Sequence, residues 1–149
     1  LDTGGGVLNA IQHFSNEAFL IINPDTLWNS HYLEELKLMQ KKFFENNKKC
    51  LLLVVNKKKS FDQLSKGDFN LKNNLISRKE GDNLDYIYTG LQIIEPAVFA
   101  NINEKVFSIN KIWDKLITSN KLYAIESNID FLHVSTLDIY KSLLEKFKR

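Results

Sequence analysis

The sequence has few of the residues that build covalent or metal-based frameworks, and it has no large excess of charge. Cysteine and methionine each occur once, proline occurs twice, and the net charge is only +2 over 149 residues. The single cysteine, Cys50, excludes an intrachain disulfide and a cysteine-rich metal site, as is usual in the reducing cytoplasm. No apolar run approaches the roughly 20 residues of a membrane helix. The sequence therefore predicts a globular cytoplasmic domain with no membrane partner.

The lysines give little support for a nucleic-acid surface. They are scattered along the chain or grouped briefly, as in Lys57–Lys59, which follows an apolar run. A nucleic-acid surface normally needs a larger basic patch than this. We interpret the cluster as a solvated loop and expect no nucleic-acid partner.

The most informative stretch is residues 18–28, where an apolar run ends abruptly at a polar turn. The run Ala18–Ile22 contains no polar residue, which is typical of a strand buried on both faces in a parallel sheet. Asn23, Pro24 and Asp25 follow, and a proline cannot continue the hydrogen-bonded ladder of a central strand. Asp25 is therefore predicted at the C-terminal end of a central strand, where open α/β sheets bind ligands. Its carboxylate is either a ligand of Mg²⁺ or an Asx-turn acceptor that only caps the loop.

The rest of the pattern predicts alternating helices and strands in one α/β domain. Apolar residues at positions 32, 33, 36, 39 and 43 give one face of a helix over residues 32–46, with Ser30 as its cap. This helix would join the first strand to the apolar strand Cys50–Asn56 as a right-handed parallel β-α-β pair. The further predicted elements are a hairpin around residues 73–74, a strand at Tyr86–Ile94, a helix over 111–118, strands at 122–125 and 131–134, and a helix over 136–148.

Glycines mark two positions where function is one of the available explanations. Gly4, Gly5 and Gly6 precede a helix predicted over residues 7–14, and they either let backbone N–H groups approach a ligand or form a flexible cap. Gly90 lies inside a predicted strand, which indicates either a bulge or the close approach of a ligand to the backbone. The residues alone leave both pairs of alternatives open.

Four segments, taken in their order and spacing, resemble the sugar-1-phosphate nucleotidylyltransferases. The resemblance is closest to the small bacterial branch that includes N-acetylmuramate-1-phosphate uridylyltransferase, and it runs nearly the whole length of the chain. The segments are Leu1-Asp2-Thr3-Gly4-Gly5-Gly6-Val7, Ile22-Asn23-Pro24-Asp25-Thr26-Leu27-Trp28, Tyr88-Thr89-Gly90 with Pro96 and Phe99 following, and Phe131-Leu132-His133-Val134-Ser135-Thr136.

The resemblance implies a Rossmann-like mixed sheet, mainly parallel, with flanking helices, as in the nucleotide-diphospho-sugar transferases. It implies Mg²⁺-assisted transfer of a nucleoside monophosphate from an NTP, with UTP expected, to a sugar-1-phosphate such as N-acetylmuramate-1-phosphate, with release of pyrophosphate. The site residues that it implies are Asp25 as catalytic metal ligand, Gly5, Gly6 and Asn23 at the nucleotide, and Asp68, Thr89 and Gly90 at the sugar. For Asp68, a turn aspartate without a ligand is an equally good interpretation.

Two departures from the family pattern change these expectations. His133 stands where many members have a second metal-binding aspartate, and its imidazole either hydrogen-bonds a phosphate or sugar or is a satisfied histidine at a strand end. The Gly-rich loop with an arginine, and the Pro-Lys element after it, which hold the triphosphate in the family, have no counterpart in residues 1–149. We therefore expect the chain to be the C-terminal two-thirds of one nucleotidyltransferase domain, truncated at its N-terminal side. By itself it should be inactive and should self-associate along an exposed sheet edge.

Two other functions are compatible with the residues. A non-catalytic module that binds or senses sugar nucleotides would have the same fold and would explain both departures. A non-enzymatic α/β interaction domain would bind no nucleotide at all. Nucleotidyltransfer is the preferred prediction, because the four segments occur in the order and spacing of the family.

Overall fold

A computed structural model describes residues 2–79, 81 and 83–148, so that Leu1, the first residue of the glycine motif, lies outside the described residues. The strands are β1 (Phe19–Ile22), β2 (Cys50–Asn56), β3 (Asn70–Lys72), β4 (Leu75–Ser77), β5 (Tyr86–Ile94) and β6 (Tyr123–Ser127). The helices are α1 (Thr3–Ala10), α2 (Tyr32–Glu45), α3 (Asn110–Thr118) and α4 (Leu137–Phe147), with 3₁₀ turns at Ile11–His13, Lys57–Lys59 and Pro96–Phe99. None of these helices has the length and apolar character needed to span a bilayer.

The strands form one mixed sheet with the order β1-β5-β2-β6-β4-β3. β5 is antiparallel to β1 and β2, β4 is antiparallel to β3 and β6, and β2 is parallel to β6. The predicted α/β class with a mixed sheet is confirmed, but the prediction of a mainly parallel sheet is wrong for the described strands. The predicted parallel pair is also wrong, because β5 lies between β1 and β2. These two strands do run in the same direction, since both are antiparallel to β5.

β1 is an edge strand within the described residues rather than a central one. Phe19 is buried, whereas Leu20 and Ile22 on the opposite face are 40% and 52% exposed. The prediction that this run is buried on both faces is therefore wrong. A uniformly apolar run indicates that both faces are suited to burial, but it does not show which neighbours cover them.

Helices cover the two faces of the sheet, and β2 at its centre shows why. Alternate side chains of a strand point to opposite faces. Cys50, Leu52 and Val54 belong to the cluster beneath α3, which includes Trp113 and also contacts α1. Leu51 and Leu53 belong to the cluster beneath α2, which contains Met39 and Phe43. Burial of each such leucine contributes about 1.5–3 kcal/mol, so β2 is the main hydrophobic element of the domain.

Asparagine and glycine supply the left-handed backbone that the turns require. Asn73 and Asn74 have φ angles of 52° and 63° in the two-residue turn between β3 and β4, as a type I′ hairpin needs. The predicted hairpin is thus confirmed. Gly90 has a φ of 93°, and the register of β5 against β2 shifts between Leu52 and Val54. The bulge that Gly90 indicated is therefore present.

Several predicted elements differ from the structure in their extent. α1 begins at Thr3 because the Asp2 carboxylate caps it, so the glycines lie in its first turn instead of preceding it. Residues 131–134 do not form a strand of the sheet; they make single bridges, Phe131 to Ser60 and His133 to Thr26. α2 begins at Tyr32, as predicted, but the predicted Ser30 cap is wrong: the N-cap is His31, whose side chain makes no capping hydrogen bond. The predicted cap of the last helix is confirmed, since Thr136 Oγ1 accepts a hydrogen bond from the Ile139 N–H.

Candidate functional site

Three strands end at the same edge of the sheet. β1 and β2 run in one direction because both are antiparallel to β5, and β6 runs with β2. The segments that follow them are joined by bridges from Thr26 to His133 and from Ser60 to Phe131. Residues distant in sequence therefore meet beyond the C-terminal ends of these strands, where open α/β sheets bind ligands.

Asp25 and His133 lie side by side at this edge. The Leu27 N–H donates to the Leu132 carbonyl at 2.9 Å, and the Val134 N–H donates to the Asp25 carbonyl at 2.8 Å. This backbone register holds Asp25 Oδ2 at 3.2 Å from His133 Nε2. The side chains remain 49% and 30% exposed, so that both are accessible from solvent. His133 also stacks on the buried ring of Phe131 at 5.6 Å and 7°, which fixes the imidazole plane.

The Asp25 carboxylate is suited to a divalent cation that is shared with a ligand. No group of three or more His, Cys, Asp or Glu side chains that could hold a metal ion by themselves occurs among the described residues. A hard cation needs only one or two protein carboxylates when phosphate oxygens and water complete its coordination. A half-exposed carboxylate at an open edge meets that requirement, and His133 is a second donor beside it.

Asn23, two residues before Asp25, packs closely against Gly90. The Asn23 N–H donates to the Gly90 carbonyl at 2.8 Å. A Cβ atom on Gly90 would lie 2.6 Å from Asn23 Cβ, which leaves no room for any other residue. The close approach that Gly90 permits here is made by the Asn23 side chain. The Asn23 carbonyl accepts from Trp28 Nε1 at 2.8 Å, so the turn closes on itself.

Thr26 in this turn and Thr89 on β5 use their hydroxyl groups for hydrogen bonds in the interior. Thr26 Oγ1 donates to the Thr89 carbonyl at 2.8 Å, and Thr89 Oγ1 donates to the Leu53 carbonyl at 2.9 Å. Both threonines are buried, with exposures of 3% and 1%. These bonds tie the Asp25 turn to β5 and β2. Thr89 therefore has a structural role in the interior, and its predicted contact with a sugar stays a prediction.

Asp68 belongs to the same part of the molecule. Its Oδ2 accepts a hydrogen bond from the Tyr88 N–H at 2.9 Å. Burial raises the pKa of the Asp68 carboxyl, while this hydrogen bond and the charges of Arg78 and His133 lower it by smaller amounts. One carboxylate oxygen of Asp68 is therefore occupied by the Tyr88 N–H, and the predicted contact of Asp68 with a sugar stays a prediction.

A basic cavity lies beside Asp68, beyond the end of β2. It has a volume of about 550 Å³, and its lining includes Lys57, Lys58, Lys66 and Gly67. Lys57 Nζ lies 2.9 Å from the carboxylate of Asp85, so one of the three ammonium groups is paired. The predicted solvated loop at Lys57–Lys59 therefore contributes Lys57 and Lys58 to a polar depression suited to an anion.

Gly5 and Gly6 have different environments in α1. A Cβ atom on Gly5 would lie 2.3 Å from the Lys105 carbonyl oxygen, and the Gly5 N–H donates to the Phe107 carbonyl at 3.2 Å. Gly4 is similarly tight against Phe107. A Cβ atom on Gly6 would meet nothing within 4 Å. Close packing against residues 105–107 explains Gly4 and Gly5, whereas Gly6 has no packing reason, and the predicted nucleotide contacts stay predictions.

Sequence reasoning missed a buried polar group on β5. The Tyr88 hydroxyl and Gln92 Nε2 are buried without a hydrogen-bond partner among the described residues. Gln92 Oε1 accepts from Trp113 Nε1 at 3.1 Å and from the Cys50 thiol at 3.6 Å. Burial raises the pKa values of Tyr88 and Cys50 well above their usual ranges, which favours the neutral form of both groups, and Cys50 is fully buried. The available signal was a glutamine inside an otherwise apolar run.

The fold that surrounds this edge is shared with solved structures, although no protein-family model and no curated protein matches the sequence. HddC from Yersinia pseudotuberculosis, complexed with GMP-PN, matches with a TM-score of 0.68 and 21% identity over 99% of this chain and 63% of its own. The inositol-1-phosphate CTP transferase from T. maritima matches with a TM-score of 0.72 and 16% identity over 100% of this chain and 63% of its own. A putative glucose-1-phosphate thymidylyltransferase from Bacillus anthracis, in complex with a sucrose, matches with a TM-score of 0.68 and 14% identity over 91% of this chain and 56% of its own.

These likenesses define the class of fold. The chain shares its mixed α/β fold with these three structures. It spans 63% of the length of HddC and of the inositol-1-phosphate CTP transferase.

Proposed function

We propose that this chain is part of a sugar-1-phosphate nucleotidylyltransferase, as the C-terminal two-thirds of a single nucleotidyltransferase domain. One observation carries the proposal: Asp25 and His133 are held together at the strand-end edge of a sheet with this fold. The similar structures carry the names of a CTP transferase for inositol-1-phosphate and a thymidylyltransferase for glucose-1-phosphate. UTP and N-acetylmuramate-1-phosphate are the substrates that we propose from the sequence resemblance.

The proposed reaction is an in-line displacement at phosphorus. An oxygen of the sugar phosphate attacks the α-phosphorus of the NTP and forms a new P–O bond. The bond from the α-phosphorus to the oxygen that bridges to the β-phosphate breaks, and pyrophosphate leaves with that electron pair. Such a reaction needs alignment of the two substrates and neutralisation of charge more than it needs covalent chemistry from the protein.

The residues at the edge would divide these tasks. Asp25 would hold a divalent cation, Mg²⁺ by the resemblance, together with nucleotide phosphate oxygens, and the cation would neutralise charge on the phosphates when bound. Asn23 and Gly90 keep the Asp25 turn closed and rigid. The basic cavity beside Asp68 is suited to the phosphorylated sugar, since Lys58 and Lys66 line it. Gly6, which has open space around it, is the better candidate of the two glycines for contact with a nucleotide.

Calorimetry with UTP, with and without Mg²⁺, tests the proposed site. We expect metal-dependent binding by the native chain, weakened at least about tenfold by Asp25→Asn, because loss of a metal-site group typically costs that much. Asp130→Asn changes an exposed carboxylate that follows β6 and is the matched control. Equal binding by the native chain and Asp25→Asn would remove Asp25 from the site.

The same titrations separate the alternatives. Binding of a UDP-sugar that does not respond to metal would favour the non-catalytic sugar-nucleotide module, and absence of nucleotide binding would favour the interaction domain. Pyrophosphate release gives the catalytic answer. We expect no release by the isolated chain with UTP and N-acetylmuramate-1-phosphate, because no residue group described here replaces the triphosphate loop of the resemblance. Steady release would contradict that expectation while supporting the proposed reaction.

A further inference from the structure

We infer that a second cavity, at the other end of the sheet from Asp25, binds a small organic phosphate, that is, a phosphate monoester with an apolar body. The cavity lies beside the end of α2, the β3–β4 turn and the start of β6, and it has a volume of about 300 Å³. We call it the Tyr123 cavity, after a residue that lines it. It shares no lining residue with the basic cavity beside Asp68, so the inference does not rest on the proposed function.

The length of β2 separates the Tyr123 cavity from the candidate functional site. Leu51 lines the cavity near the start of β2, and Asn56 ends the strand at the edge where Asp25 lies. A strand rises about 3.3 Å per residue, so these two positions are about 16 Å apart. A small molecule in the Tyr123 cavity would therefore not reach Asp25, and its binding can be measured without nucleotide.

The charged side chains that line the Tyr123 cavity are all positive. Lys42 and Lys48 line it, and its other polar residues are three asparagines and a tyrosine. Neither lysine forms an ion pair with a carboxylate of the described residues, whereas the adjacent lysines, Lys41 and Lys49, each pair with a glutamate. A phosphate monoester carries a charge of about −1.5 to −2 at pH 7, so it matches two ammonium groups better than a carboxylate does.

The two lysines are not needed to complete the end of α2. Lysines near a helix C-terminus often bind the last carbonyl groups or offset the helix dipole. Here the carbonyls of residues 42, 43 and 44 accept from Asn46 Nδ2, the Lys48 N–H and the Asn47 N–H, at 3.0, 3.0 and 3.3 Å. Main-chain and asparagine donors therefore satisfy these carbonyls, and the ammonium groups need another partner.

An aromatic ring holds one of the ammonium groups in the cavity wall. Lys48 Nζ lies 3.2 Å from the centroid of the Tyr123 ring, which is a cation–π contact. An ammonium group has three N–H donors, and a ring face covers only one side of it. The other side can donate to phosphate oxygens. Because the ring already restricts the lysine, ordering this side chain costs less on binding.

The apolar part of the lining indicates an organic ligand instead of free phosphate. Leu51, Tyr123 and Ile125 belong to the apolar cluster beneath α2, and Leu38 of α2 lines the same cavity. Leu51 is 2% exposed, whereas Leu38 is 43% exposed at the cavity mouth. An apolar body that covers this surface gains about 25 cal/mol for each Å² removed from water. Inorganic phosphate would gain nothing from it.

Calorimetric titrations of the chain with phenyl phosphate, inorganic phosphate and benzoate test the inference. We expect phenyl phosphate to bind at least about tenfold more tightly than either of the others, because it alone has both the double charge and the apolar body. Lys42→Gln and Lys48→Gln should each weaken its binding at least about threefold. Lys41→Gln is the matched control, since Lys41 pairs with Glu45 outside the cavity, and it should leave the affinity unchanged.

NMR locates the bound phosphate independently of affinity. In ¹H–¹⁵N spectra the amide signals of Leu51, Tyr123 and Ile125 should shift with phenyl phosphate at lower concentration than the signal of Gly67 in the basic cavity. Leu38→Glu places a carboxylate at the cavity mouth without changing a buried position, and it should abolish the shifts.

Several outcomes would overturn the inference. Benzoate or inorganic phosphate that binds as tightly as phenyl phosphate would remove the ligand class. Binding that Lys66→Gln weakens but Lys48→Gln and Leu38→Glu do not would assign the phosphate to the basic cavity. Absence of saturable binding by phenyl phosphate would remove the site itself.

Discussion

Replacement of Gly90 by alanine should destabilise the domain for two separate reasons, backbone strain and steric overlap. Gly90 has a φ of 93°, a conformation that costs an L-residue about 1–3 kcal/mol. The new Cβ atom would also lie 2.6 Å from Asn23 Cβ, and overpacking of this kind costs typically about 1–3 kcal/mol. Together the two effects predict a loss of about 2–6 kcal/mol from a total that is commonly about 5–15 kcal/mol.

Urea unfolding followed by circular dichroism measures this loss. With a slope of about 2 kcal/mol per molar, Gly90→Ala should lower the midpoint by roughly 1–3 M. The matched control is Gly6→Ala, where the Cβ atom meets nothing within 4 Å in a helix. That change should raise stability by up to about 1 kcal/mol, because alanine is the better helix former.

A double variant divides the loss into its two causes. Asn23→Gly removes the Cβ atom that obstructs alanine at position 90 but does not change the backbone angle there. The pair should therefore show a favourable coupling equal to the steric part of the cost. A Gly90→Ala midpoint indistinguishable from that of the native chain would refute both parts of the reasoning.

Three further predictions follow from buried or exposed groups. Burial raises the pKa of the Asp68 carboxyl in the folded state, so the free energy of unfolding falls as pH rises from the unfolded pKa through the folded pKa. Asp68→Asn should therefore raise the urea midpoint at pH 7, and the gain should shrink toward pH 4. An equal gain at both pH values would contradict this reasoning. Thr89→Val should cost about 1–3 kcal/mol in thermal or urea unfolding, because the Leu53 carbonyl loses a buried donor, and a change under 0.5 kcal/mol would argue against it. We expect sedimentation velocity to show self-association through the β1 edge, and Ile22→Lys should reduce it. Leu64→Lys is the control, because Leu64 is 90% exposed and lies away from β1; equal effects of the two variants would rule out that edge.

Elements defined by local pattern could be predicted from the sequence. The helix α2 follows from the spacing of its apolar residues, and the β3–β4 hairpin follows from two consecutive asparagines that tolerate positive φ. The ends of β2 and β5 are also those predicted, because polar or proline residues follow each apolar run. Local chemistry is sufficient where the energetic cause lies within a few residues.

The arrangement of strands could not be predicted, because its causes are distant in sequence. Nothing in β1 or β2 indicates that β5 will pair with both of them, so a direct parallel pair was the natural expectation. Exposure of Leu20 and Ile22 is likewise a property of the sheet edge and not of the run itself.

The candidate site shows the same division. Asp25 was identifiable because a strand and a turn surround it, and His133 because of its place in a motif. Their contact at 3.2 Å depends on a bridge between residues more than a hundred positions apart. The interior role of Thr89 was not visible either, because its acceptor, the Leu53 carbonyl, lies on a different strand.

The central position of β5 has a consequence for how the protein is made. The ribosome completes β1, α2 and β2 before it synthesises the strand that joins them. Until then the nascent chain carries two apolar segments whose main-chain groups have no native partner between them. Residues 19–56 should therefore be a segment that chaperones recognise during translation, and release of β5 from the exit tunnel should end the exposure of the edges that β1 and β2 share with it.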